Sequence, residues 1–531
     1  IRKPGFENDP YLPKTWLQLV DEVCRIIAVE KYELDILPND IEIIRADQML
    51  DAYTTTGLPD SYRHWSFGKR RTAEERKYDA NKHLAYEIVI NSSPCLAYCM
   101  DTNTPLLQLI VIAHASYGHN TVFKNNYLFR DFTDTANILV DNQRMRDYVA
   151  ECEKKYGWQE VSRLLDFCHA LQFIDSADTV KTDGPRASEI AKRRKEQILQ
   201  HHLNGPRQSV FNINANDNRA ESDPARGLHH DHGEKNILGF MADHAPHMPE
   251  WKRNIMRMRS RLSQYFKPQM MTKVLNEGMA TFTHDKILTT MRDIGLIDFG
   301  MYTEYGQINE GVLYQQSAIR TVDVGGQKVD ILLEVPMNPY TLGLKILREI
   351  ERICKNPTEE DKKWFPHFAG DPDWLAMVKH AVFSSNDETF IHQYLSPQAM
   401  RDLKLFAVKD VPGQQLAEAT AITAGEGFQR IRERLARDYR LYELLPDISL
   451  YDYQEKTDRC LILRHKVFEN KVLDAKDAKM ILEMMHAEWE HPIVIESVDE
   501  ATGEVKATHS SPPNYNYKFF KRTEPEQNYN I

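Results

Sequence analysis

The chain has 531 residues, and its 67 Lys and Arg stand against 78 Asp and Glu for a net charge of −11. This mild acidity lacks the basic footprint of a nucleic-acid binder. Hydrophobic residues make up 42% and aromatics 10%, enough for a large core, while 23 Gly and 25 Pro are too few for a fibrous or largely disordered chain.

Residues 12–38 predict an amphipathic helix, with Trp16, Leu19, Val20, Val23, Ile26 and Ile27 at helical spacing. Residues 84–90 (LAYEIVI) predict a strand. Residues 106–119 predict a buried helix, opened by Thr104-Pro105 as N-cap and first-turn pair. Helical patterns continue to about Phe173. Residues 204–235 are rich in Asn, Asp, Gly, Pro and His and predict a long surface loop. Helices are expected again at 249–266 and 269–293, then a hairpin over 319–335 around Gly325-Gly326. Helices follow to about Leu405. From there short strands at 405–409, 417–422, 448–453, 460–465, 493–497 and 504–508 flank helices at 425–439 and 475–490. The chain therefore reads as mainly α: a large helical body over 1–404 with a small β element, and an α+β unit over 405–531 with an extended tail.

No apolar run approaches the roughly 18 residues that a membrane helix needs. The seven cysteines (Cys24, Cys95, Cys99, Cys152, Cys168, Cys354 and Cys460) are scattered with no CxxC, which reads as reduced thiols in a cytoplasmic protein.

Chemistry concentrates in a few polar residues set in apolar segments. His114 and His119 sit in HASYGH, after Ile110-Val-Ile-Ala113. At about 100° per residue, positions five apart lie about 140° apart on a regular helix. Both reach one ion only where the helix is distorted or ends, and Gly118 marks a place for that. Hydrogen-bonded core histidines are the plainer reading of the pair alone. Glu277 and His284, in NEGMATFTH, are seven apart and about 20° off one helix face. Glu87 is a carboxylate in an otherwise apolar strand and needs a partner, a cation or a raised pKa. His169 in FCHAL is a further possible ligand. Lys124, Asn125 and Tyr127, just after the histidine pair, are candidates for orienting a substrate or stabilising an oxyanion. Tyr62, His64, Trp65 and Lys69 allow the same role or the closing of a helix end. Asn338-Pro339-Tyr340 is a candidate cleft rim. The cluster His229, His230 and His232 lies in the expected loop, where nothing would preorganise it for a metal.

The NEGxA pattern at 276–280 resembles the segment that supplies the glutamate ligand in gluzincin peptidases such as the aminopeptidase N family. That likeness implies a gluzincin-like arrangement with His114, His119 and Glu277 on a divalent ion, most simply Zn, and His284 or His169 as fourth ligand or neighbour. The general base of those enzymes, the Glu after the first His, is Ala115 here, so Glu87 becomes the candidate base.

Longer motifs point to one family. ADQMLDAYTTTGLPDSYRHWSFGKR, LAYEIVINSSPCLAYCMDTNT, IAHASYGHNTVFKNNYLFRDFTD, LLDFCHAL, YFKPQMMTKVLNEGMATFTH, NPYTLG, NPTEEDKKWFPHFAG and FIHQYLSPQAMRDLK together resemble the SpoVR family, named for stage V sporulation protein R, from about residue 15 to about 510. The resemblance implies a link to sporulation, spore cortex formation and stress physiology. It also implies a PrkA-type serine kinase and a protein with a von Willebrand-type domain as partners. One departure is Phe240–Pro246, where the family's FxEKNAP has its acid displaced by one position and a His added.

Two readings follow. One is a metal-dependent hydrolase acting on an amide or peptide bond, with His114, His119 and Glu277 as ligands, Glu87 as base, and Lys124, Tyr127 or Asn125 at the oxyanion. The alternative is a non-catalytic regulatory or scaffold protein working with the kinase system, its His/Glu cluster serving as a buried polar network. A di-metal carboxylate site ranks below both, because no ExxH pair lies on two inward helices.

Overall fold

A computed structural model describes residues 12–55, 58, 61–79, 87–172, 174, 236–316, 319–324, 327–332, 336–405, 407–409, 418–420, 425–440, 445–453, 458–468, 471–499 and 502–515. The expected loop at 204–235, with His229, His230 and His232, lies outside them. Helices dominate, with small sheets between them and a strand-rich C-terminal part. The chain forms two compact units, residues 1–165 with 261–444 and residues 166–260 with 445–531. The hairpin β6–β7 (Ala407–Lys409 and Glu418–Thr420) and the Gly425–Asp438 helix belong to the first of these.

In the first unit, the opening helix runs Leu12–Arg25 and widens to an i→i+5 turn at Ile26–Lys31, so it ends short of the expected residue 38. The cause is tertiary. Glu33 adopts a left-handed φ of 50°, and Asn120 then bonds both the N–H and the C=O of Leu37, holding that stretch extended before Pro38. The strand that follows, β1 (Asn39–Ile44), lies parallel to β3 (Cys95–Met100), and β2 (Glu87–Ile90) pairs antiparallel with the other edge of β3. Glu87 is therefore opposite Cys99, at the first residue of the shortest strand in this sheet.

The Pro105–Ile112 helix starts as expected: the Thr104 hydroxyl accepts from Leu107 N–H, and Pro105 occupies a first-turn position that needs no donor. It does not continue regularly to His119. It passes into a wide i→i+5 turn, Ala113–His119, and resumes as Asn120–Asn125. That turn packs on the Lys273–Asp293 helix, which packs in turn on the Pro339–Lys355 helix. The turn is lined with buried Ala113, Ala115 and Tyr117, and the two helices with fully buried aliphatic side chains such as Leu275, Ile287, Leu347 and Ile350, each contributing about 1.5–3 kcal/mol by leaving water. Thr272 makes no side-chain cap at the start of the central helix. Asp387 does so from a distance, accepting from Val274 N–H at 2.9 Å and Leu275 N–H at 2.8 Å. The expected hairpin is present as β4 (Ile319–Val324) and β5 (Gln327–Leu332).

The second unit contains a four-stranded sheet in the order β11-β10-β9-β8, with β9 (Leu461–Val467) parallel to β10 (Ile493–Asp499) and the outer strands β8 (Ile448–Tyr453) and β11 (Val505–Ser511) antiparallel to them. Consecutive buried residues in β9 and β10 show that both faces of this central pair are covered, as parallel pairs require. The Ala475–Trp489 helix ends on Trp489, which is fully buried and donates its indole N–H to the Arg459 carbonyl. His486 bonds the His491 carbonyl at the same end, a structural role.

Candidate metal centre

The site is assembled in the first unit by backbone contact. A Cβ on Gly118 would lie 2.4 Å from Ala280 Cα, and one on Gly278 would lie 2.5 Å from Gly343 Cα. Only residues without that carbon let the histidine-bearing turn, the NEGMA helix and the NPYTLG helix approach so closely. The wide turn does the remaining work. An i→i+5 pattern turns His114 and His119 toward each other, with ring centroids 4.7 Å apart. This is the helix distortion that a spacing of five demands.

Four side chains converge there. His114 Nε2 is 3.4 Å from Glu277 Oε2 and 3.5 Å from Glu87 Oε1, and His119 Nε2 is 3.5 Å from the same Glu277 oxygen. Ligand atoms of Glu87, His114 and His119 all lie within 4.8 Å of one another. Tyr340, from the expected rim segment, stacks on His114 at 6.1 Å and its hydroxyl interacts with Glu277. His284 Nδ1 is 3.0 Å from His114 Nδ1, on the side of the ring away from the carboxylates.

Hydrogen-bond polarity shows what this cluster requires. His119 Nδ1 is 2.7 Å from Asn276 Oδ1, an acceptor, so the ring carries its proton there. Its Nε2 is then a bare lone pair aimed at a carboxylate oxygen. Burial, countered by Glu277 and reinforced by His114, brings the pKa of His119 down to about 4, so no second proton relieves that contact near neutrality. His114 differs: burial lowers its pKa, but Glu87 and Glu277 outweigh burial and raise it. Burial pushes the Glu87 carboxyl up to about 7. Burial also acts to raise Glu277, but the imidazoles and the Tyr340 hydroxyl prevail and hold it below the usual carboxylate value.

The buried atoms Glu87 Oε2, His114 Nε2 and Glu277 Oε2 make no hydrogen bond to any described residue. Buried polar atoms left in this way cost free energy unless a proton or a metal cation joins them. Two imidazole nitrogens and two carboxylates are a donor set suited to Zn²⁺ or a similar divalent ion. Glu87 and Glu277 keep 19% and 20% of their side-chain surface exposed, so the site is reachable from solvent.

Other candidates lie elsewhere. Lys124 Nζ is bound to Asp35 Oδ1 at 2.5 Å and the Ile36 carbonyl at 2.8 Å. Asn125 Nδ2 donates to the Asp35 and Thr121 carbonyls. Both therefore fasten the 32–37 segment. Tyr127 is half-buried with Asp131 and Glu388 as its charged neighbours. His169 is half-buried on the last turn of the Trp158–Leu171 helix and belongs to the second unit. His64 bonds Ser66 at the start of the Trp65–Asp79 helix, the helix-closing role. Sequence reasoning missed Asn276, although its place beside Glu277 in NEGMA was the available signal.

The comparisons with known proteins agree along nearly the whole chain. The family model described as SpoVR like protein matches residues 14–444, and that described as SpoVR-like C-terminal domain matches residues 446–500. The uncharacterized protein YcgB of Escherichia coli (strain K12) is 38% identical over 506 residues, covering 94% of each chain. No solved structure matches.

Proposed function

The chain belongs to the SpoVR family, and on that premise we propose that it is a metal-dependent hydrolase acting on an amide or peptide bond. The observation that carries this reading is Glu277 Oε2 lying 3.5 Å from the bare His119 Nε2, an acceptor facing an acceptor, with His114 Nε2 3.4 Å from the same oxygen. His114, His119 and Glu277 would hold the ion. When bound, the ion supplies Lewis-acid chemistry, polarising a carbonyl oxygen and making water nucleophilic at neutral pH. Glu87 takes the proton. Its carboxyl, pushed up to about 7, suits a general base that works near neutrality. In this reading it would do the work of the residue after the first histidine in gluzincins, although it comes from a strand. Tyr340 orients Glu277 and walls the site. The buried unpaired acceptors also speak against the alternative of a purely structural polar network, which is stable only when its members are satisfied.

Metal analysis tests the reading. The purified protein should carry about one divalent ion per chain, and His114→Ala and Glu277→Ala should each lower that about tenfold or more. Metal below about a tenth of an ion per chain, unchanged by either substitution and not restored by added Zn²⁺, would sink it.

A further inference from the structure

Behind His114 runs a line of polar side chains with a fixed direction. Arg348 Nη2 donates to Asp285 Oδ2 at 2.9 Å. Tyr305 donates its hydroxyl to Asp285 Oδ1, also at 2.9 Å. Asn309 Nδ2 donates to the Tyr305 oxygen at 3.3 Å. The next two polar atoms, His284 Nε2 and Asn309 Oδ1, are buried and make no hydrogen bond to a described residue, although the two side chains interact. Beyond them His284 Nδ1 meets His114 Nδ1 at 3.0 Å. Tyr305 also packs edge-on against the His284 ring at 5.8 Å, which restricts its rotation.

The polarity of every link follows from Asp285, which accepts from Arg348 on one oxygen and from Tyr305 on the other. Because the Tyr305 proton goes to Asp285, its oxygen must accept, so Asn309 presents its amide N–H₂ to it and its carbonyl to His284. With that carbonyl as its polar neighbour, His284 is best served by a proton on Nε2, which offers a lone pair at Nδ1. His114 must then be the donor at Nδ1, which leaves its Nε2 for the site. Asn276 dictates the same form for His119 in one step.

We propose that Asp285, Tyr305, Asn309 and His284 form a positioning chain that sets the tautomer of His114 and turns its Nε2 toward the metal position, anchored at the surface by Arg348. His284 is thus a positioning residue behind a ligand. The inference rests on the metal reading for its purpose, but its geometry is independent of it. It adds Asp285 from the Lys273–Asp293 helix, Tyr305 and Asn309 from the Phe299–Val312 helix and Arg348 from the Pro339–Lys355 helix.

Two measurements on the full chain test the proposal. The first uses selectively ¹⁵N-labelled histidine in the metal-free protein at about pH 9, where the imidazoles are neutral. His284 should appear as the Nε2–H tautomer and His114 as the Nδ1–H tautomer; the reverse assignment at either residue overturns the chain. The second is a Co²⁺ titration read by the ligand-field bands. Asp285→Asn and Tyr305→Phe should each weaken Co²⁺ binding about 10- to 100-fold. His284→Gln can accept from His114 and donate to Asn309 and should retain most of the affinity, whereas His284→Leu should not. If the wild type takes up one Co²⁺ and both Asp285→Asn and Tyr305→Phe bind within about twofold of it, against the 10- to 100-fold expected, the positioning chain is wrong and the metal reading stands. If the tautomers are as stated but the wild type binds no Co²⁺, the metal reading fails and the chain's polarity stands. Thermal unfolding of each variant separates loss of fold from loss of affinity.

Discussion

Gly118 lies against Ala280 so closely that a methyl group on it would stand 2.4 Å from the Ala280 α-carbon. The neighbour is backbone and cannot turn aside. Gly118→Ala should therefore push the histidine-bearing turn off the Lys273–Asp293 helix and cost about 1–3 kcal/mol of stability, as overpacking of a filled core does. Denaturant unfolding measures the loss, and metal affinity should fall with it because His119 is the next residue. A variant as stable as the wild type would refute this account of the glycine.

Glu87 and Glu277 should separate by function. Glu277→Gln should lose most bound metal, because the replaced oxygen faces both imidazoles. Glu87→Gln should keep the ion within a few-fold while turnover of an amide or peptide substrate falls about 10²- to 10⁴-fold, the usual contribution of a general base. The reverse outcome, metal lost with Glu87→Gln and kept with Glu277→Gln, would exchange their roles.

Asn276 holds His119 by the 2.7 Å bond to its Nδ1. Asn276→Ala should lower metal affinity about 10- to 100-fold with little change in the folding transition. Asn276→Asp keeps the acceptor and should restore part of the loss. Isothermal titration with Zn²⁺ decides between this and a role in stability alone.

Asp387 should give a distinctive pH dependence. Burial pushes its carboxyl up to about 7, against the Leu275, Val274 and Lys273 backbone N–H groups and the Lys273 charge, and Tyr439 is the other titratable group beside it. The folded-state value thus lies above the unfolded one of about 3.9. The stability this group contributes is complete below about pH 4 and is lost as pH rises through about 7. Relative to Asp387→Asn, the wild type should lose ground steadily over that range in denaturant midpoints. A wild type that gained on the variant with rising pH would contradict the sign.

Much of this architecture is legible in the chain itself. Thr104-Pro105 and the strand-forming run before Asn91 announce their elements by local chemistry, because caps and strand-forming residues act within a few positions. The need of these residues for partners was equally plain, since His and Glu in apolar surroundings must find them. The extent of the first helix was not, because what ends it is Asn120, more than eighty residues away in the chain. Lys124 and Asn125 are near His119 in sequence, yet their donors are used up on the 35–36 backbone.

The sequence by itself determined the family, the mainly helical class and the His and Glu residues set in apolar segments. Only the tertiary structure decided that His114 and His119 share one side, through a widened turn seated on Ala280, and that Glu87 reaches them from a separate strand. It also picked out Asp285, Tyr305 and Asn309, ordinary polar residues of amphipathic helices with nothing local to mark them. The reason is physical: composition and short-range spacing govern which groups must be satisfied. The direction of each hydrogen bond, and hence which lone pair is left for a cation, depends on partners that only close packing brings together.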